Sequence, residues 1–148
     1  LMGMYDLSCG RGSNLLLNVG PTARGEFDGR ALERLRGMGE WMARHGRAIY
    51  GCTQAPAEFP TPQDCRLTYN PDTNRLYVHV FAWPIRHLHL DGLAGKVAYA
   101  QLLNDASEVK MVARRPAHHE AVPEDTLTLE LPIVQPDVTV PVIELFLK

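Results

Sequence analysis

Two periodicities divide the chain. Up to residue 51 the apolar side chains recur at helical spacing or in one unbroken run, and beyond it they alternate with polar ones over short stretches. Residues 1–9 read as the end of a helix stopped by Gly10 and Gly12. Leu15, Leu16, Leu17 and Val19 make a run broken only by Asn18 and bounded by Ser13-Asn14 and Gly20-Pro21. That is the signature of a strand buried on both faces, as in a parallel sheet. Ala31, Leu32, Leu35, Met38, Trp41 and Met42 then predict a helix with Asp28 as N-cap and Gly46 as C-cap. A lone buried strand leaves its backbone N–H and C=O groups without partners, so residues 1–51 read as part of a larger α/β assembly.

Beyond residue 51 the period is two. Leu76, Val78 and Val80 point one way and Tyr77, His79 and Phe81 the other. The turn Asn70-Pro71-Asp72-Thr73-Asn74 pairs this strand with residues 66–69. Further short strands are predicted over 86–90, 97–103, 109–113, 126–131 and 142–147, each near turn residues. Seven such strands predict an antiparallel β-sandwich. The expected fold is therefore mainly β, with a sandwich over 52–148 preceded by a helix-strand-helix unit over 1–51. Punctuation agrees with this division: ten of the 12 glycines lie at or before Gly51, and ten of the 11 prolines lie after it.

Composition narrows the function classes. The 148 residues are 45% hydrophobic and 22% charged, which suits a packed core and argues against disorder. The formal charge of −2, with no basic run beyond Arg114-Arg115, argues against nucleic acid or an anionic membrane surface as partner. No apolar run approaches the ~20 residues of a membrane span. Cys9, Cys52 and Cys65 are odd in number and lack C-x-x-C spacing. Three unpaired thiols are expected, a Cys52–Cys65 bridge stays open, and unpaired thiols favour a cytoplasmic compartment. Leu1, in place of Met, is what an upstream segment would leave.

Several residues invite chemistry. His87 and His89 share a strand face with His79 nearby, a metal-ligand spacing with no acidic or thiol partner, so exposed strand histidines are expected and no metal site. His118-His119-Glu120 falls between prolines and reads as a loop. Tyr77, Phe81, Trp83 and Tyr99 either form a sugar-stacking platform or fill the core and an interdomain face, and the alternation favours the second. Trp41 packs its own helix. Glu33, Glu40 and Glu58 stand in isolation, with no neighbour to make any of them a general acid.

The run Asn14-Leu15-Leu16-Leu17-Asn18-Val19-Gly20-Pro21-Thr22, then Glu33-Arg34-Leu35, Gly39-Glu40-Trp41 and Ala48-Ile49-Tyr50-Gly51, resembles the retaining α-L-fucosidases of glycoside hydrolase family 29. So do residues 74–84, from Asn74-Arg75-Leu76 to Ala82-Trp83-Pro84, and Leu90-Asp91-Gly92-Leu93 with Lys96-Val97. The resemblance implies that 1–51 is the last helix-strand-helix of a (β/α)8-like catalytic barrel and 52–148 the C-terminal sandwich that braces it. It implies hydrolysis of terminal α-L-fucose by an Asp nucleophile and an acid/base carboxylate ~5.5 Å apart, with no cofactor. Both carboxylates belong to barrel segments before residue 1, so no catalytic residue is expected here and the isolated chain should be inactive. The implied partners are the upstream barrel and a fucosylated glycan. Asn18, Gly20 and Pro21, at the end of the presumed last barrel strand, become the substrate-adjacent candidates; read from the residues alone, Gly20-Pro21 makes a strand-to-loop turn and Asn18 bonds backbone. A free-standing carbohydrate-binding or interaction module is the alternative.

Overall fold

The computed structural model describes residues 2–112 and 123–148. Strands β1 (Thr53–Gln54), β2 (Cys65–Asn70), β3 (Arg75–Val80), β8 (Val142–Leu147) and β5 (Val97–Leu102) form one antiparallel sheet in that order. Strands β4 (His87–Leu90), β7 (Leu127–Glu130) and β6 (Lys110–Val112) form the second. The β2–β3 hairpin closes as its turn residues dictate: Asn70 Oδ1 accepts from the amides of Asp72 (3.0 Å) and Thr73 (3.2 Å), and Asn74 takes a left-handed φ of 52°.

Alternation builds the core. In β4, Leu88 and Leu90 are buried while His87 and His89 are exposed; β7 likewise buries Leu127 and Leu129. These leucines meet Leu67, Leu76, Val78, Ile143 and Leu145 from the inner face of the larger sheet. Facing sheets with one apolar surface each are the expected sandwich.

Strand β3 departs from simple alternation, since Leu76 through Val80 are all buried. Its outer face is covered by a third layer of helices, α1 (Met2–Gly10) and α2 (Gly29–His45), the latter running into a 3₁₀ turn at Gly46–Ala48. Asp28 caps α2 by accepting from the Arg30 amide at 2.8 Å. Trp41, Ala48 and Ile49 pack on Tyr77 and Val142. Gly46 is the C-cap of α2 as expected, with right-handed φ and ψ of −55° and −29°. A Cβ there would lie 3.0 Å from the Tyr50 ring, and this close approach explains the glycine.

Two expectations fail here. Residues 15–19 enter no named strand of the described residues, and Leu16 is 94% exposed. A strand requires a ladder partner, and the nearest pairing is a single bridge between Pro21 and Phe27. His79, expected at the surface, is fully buried because α2 covers its face. The open Cys52–Cys65 pairing is not formed. His118-His119-Glu120 lies outside the described residues.

Candidate functional site

The register of the larger sheet sets Thr68, Tyr77, Glu144 and Gln101 opposite one another in a row across β2, β3, β8 and β5, on the face toward the helices. Glu144 is 4% exposed, yet its carboxylate is fully engaged. Oε1 accepts from the Tyr77 hydroxyl at 3.2 Å, and Oε2 accepts from Gln101 Nε2 at 2.6 Å and Arg47 Nη2 at 2.7 Å. Burial, then the adjacent Glu144 carboxylate, push the Tyr77 phenol well above its ordinary value, so Tyr77 remains a neutral donor. The sequence reading overlooked Glu144. A single acid inside Val142-Ile143-Glu144-Leu145-Phe146 was the available signal, because a charge in such a run must find partners.

One row along, a second buried network fastens α2. Trp41 stacks between His45 (centroids 4.7 Å apart) and His79 (6.1 Å), and its Nε1–H donates to the Val140 carbonyl at 3.2 Å. Val140 holds φ at +48°, an unusual cost for a β-branched residue. The Thr68 hydroxyl donates to the Ala48 carbonyl at 2.6 Å, so at the 3.0 Å contact His79 Nε2 is the donor and Thr68 Oγ1 the acceptor. The Trp41 expectation holds, and Tyr77 fills the interlayer core.

The other candidate aromatics do not gather. Trp83 donates to the Pro132 carbonyl at 2.9 Å, Phe81 lies beside Gly3 of α1, and Tyr99 packs edge-on against Phe146, itself under the Arg75 guanidinium. His87 and His89 are exposed as expected, with His89 Nδ1 2.9 Å from Thr128 Oγ1. Among the described residues no three His, Cys, Asp or Glu side chains are grouped to hold a metal, and no helix is long and apolar enough to cross a membrane.

Asn18, Gly20 and Pro21 lie together on the exposed segment between α1 and α2. Its far end is a small turn in which the Thr22 amide donates to Glu26 O and Thr22 Oγ1 accepts from the Arg24 and Glu26 amides. Leu16, Leu17 and Phe27 are exposed on the same segment, and Leu32, Leu35 and Met38 of α2 are only half-buried. The chain thus pairs a finished sandwich with an unfinished apolar surface.

The alpha-L-fucosidase family profile matches residues 7–47. The alpha-L-fucosidase isoenzyme 1 of Paenibacillus thiaminolyticus superposes with a TM-score of 0.84 at 36% identity, over 97% of this chain and 32% of that one. The chain is homologous to part of the family 29 α-L-fucosidases. The GH29 α-L-fucosidase of Bacteroides thetaiotaomicron aligns over the same 97% with a TM-score of 0.80 and 25% identity, covering 30% of its length. Plasma alpha-L-fucosidase of Pongo abelii is 31% identical over 131 residues, 85% of this chain and 26% of its own. The chain spans no more than about a third of the fucosidases it matches. Retaining glycosidases need two carboxylates ~5 Å apart. The groove around Glu144, about 540 Å³, is lined by no second carboxylate.

Proposed function

We propose that this chain is the bracing portion of an α-L-fucosidase. In this reading residues 1–51 complete the catalytic barrel, residues 52–148 form the sandwich that supports it, and the chain alone lacks the nucleophile and the acid/base. The partner is then the rest of the barrel in the same protein, and the substrate of the assembled enzyme is a glycan ending in α-L-fucose, cleaved with retention. The observation that carries the reading is a match over 97% of this chain that covers only 32% of a complete fucosidase. Exposed Leu16 and Phe27 support it, because a final barrel strand buries such side chains only once its neighbours are present. Asn18, Gly20 and Pro21 would then stand at the mouth of the barrel, where strands end.

The test has two arms. The purified chain is incubated with an aryl α-L-fucoside and compared with a heat-killed control; no turnover is expected, and turnover above control overturns the assignment of both carboxylates elsewhere. The chain is then coexpressed with the N-terminal two thirds of the Paenibacillus enzyme. Activity above that of the truncated partner alone is expected, and its absence together with no copurification counts against the bracing role.

A further inference from the structure

The three cysteines fall on opposite sides of the larger sheet. Cys65 opens β2 inside the sandwich core. Cys9, at the end of α1, and Cys52, just before β1, both lie half-buried in the helical layer against the Trp41, Tyr77 and Val142 cluster. One carbonyl joins them: Ile49 O accepts from the Cys52 amide at 3.1 Å and from Cys9 Sγ at 3.7 Å. The Cys52 donor there is its amide; its thiol donates to the Arg47 carbonyl at 3.5 Å, so both thiols sit on carbonyls of the same 47–49 stretch. The thiols also sense each other, since Cys52, pushed up to about 12 chiefly by burial, is raised further by Cys9. Cys65 is out of reach of both. Thr53 stands opposite Tyr69, four residues or about 13 Å along β2 from Cys65, whose side chain enters the other face.

We propose that Cys9 and Cys52 form a reversible disulfide that ties the end of α1 to the start of β1, with a small-molecule disulfide such as oxidised glutathione as oxidant. The Cys9 thiolate attacks one glutathione sulfur, forming a mixed disulfide and expelling a glutathione thiolate. The Cys52 thiolate then attacks the Cys9 sulfur and expels the second. Two protein thiols are oxidised and one glutathione disulfide is reduced to two glutathiones, which take up the two protons the protein released. A dithiol reductant reverses the sequence.

The test uses the native chain. After incubation with oxidised glutathione and an acid quench, the remaining thiols are alkylated, and the protein is digested with trypsin plus a glutamyl endoprotease, which cuts at Glu58 between Cys52 and Cys65. The Cys9–Cys52 peptide is expected to exceed the Cys52–Cys65 peptide by about tenfold or more, with Cys65 recovered alkylated. In urea the order should invert, because the 13-residue Cys52–Cys65 loop closes more readily than the 43-residue Cys9–Cys52 loop. Absence of the Cys9–Cys52 peptide from the native chain, or a native ratio equal to that in urea, overturns the proposal.

Discussion

Glu144 shows why a buried charge is a matter of partners. Its three donors come from residues 47, 77 and 101, so no local window of sequence reveals that the carboxylate is satisfied. Because Arg47 is largely exposed, its ion pair contributes little on its own, and the cost of breaking the network lies in the buried donors left behind. Glu144→Gln keeps one oxygen for Gln101 and Arg47 but removes the charge and turns its NH2 toward the Tyr77 hydroxyl, and should lower the unfolding free energy by about 1–3 kcal/mol in urea. The triple change Glu144→Leu, Tyr77→Phe, Gln101→Leu should recover most of that loss, since no buried polar group is then unpaired. A triple variant no more stable than Glu144→Gln refutes this account. Cys65 makes a second case: burial first, then Asp64, push its thiol up to about 11 from an ordinary 9.0. The native thiol stays protonated where the unfolded one ionises, so its contribution is whole below about pH 9 and is lost as pH rises toward 11. Between about pH 8 and about pH 10 the wild type should lose up to about 1.4 kcal/mol more than Cys65→Ala. Parallel pH dependences in the two proteins would rule that out.

At the level of elements, the helices are clamped to the sheet at two points of different kinds. Trp41 anchors α2 by stacking and one hydrogen bond, and Trp41→Ala should cost about 3–5 kcal/mol in a denaturant titration. Gly10 anchors α1 by having no side chain: a Cβ there would lie 2.7 Å from the Leu67 carbonyl oxygen, which belongs to β2 and cannot yield cheaply. Gly10→Ala should therefore lift the end of α1, speeding hydrogen exchange of its amides by about tenfold while β3 and β8 amides keep their protection. β4 and β7 were legible because one face of each is less buried and writes a period of two, as in His87, Leu88, His89 and Leu90. The burial of His79 was not, since its cover, Trp41, stands 38 residues earlier on a helix whose docking no pattern in β3 announces. Residues 15–19 erred the other way. Their apolar run writes the pattern of a buried strand, but a strand also needs a second stretch of backbone to pair with, and among the described residues no strand is formed there.

The whole molecule places its finished and unfinished surfaces apart. The sandwich closes its own core, whereas residues 13–28 and the half-buried stripe of α2 present Leu16, Phe27, Leu32 and Leu35 with little to cover them. Apolar groups gathered this way bind whatever apolar surface is offered. The isolated chain should accordingly raise the fluorescence of a hydrophobic dye and self-associate as its concentration rises. Leu16 at 94% and Phe27 at 53% exposure contribute little to the folded core. Replacing both, Leu16→Ser with Phe27→Ser, should therefore cut dye binding at least twofold while leaving the melting temperature within about one degree. The same double variant bears on the bracing role, because those side chains are the ones a neighbouring barrel strand and helix would bury. It should lose most of the activity gained on coexpression with the truncated Paenibacillus partner despite its unchanged stability. Full complementation by a variant with silenced dye binding would show that the surface is exposed for another reason, and would move the contact between the two parts onto the α2 stripe.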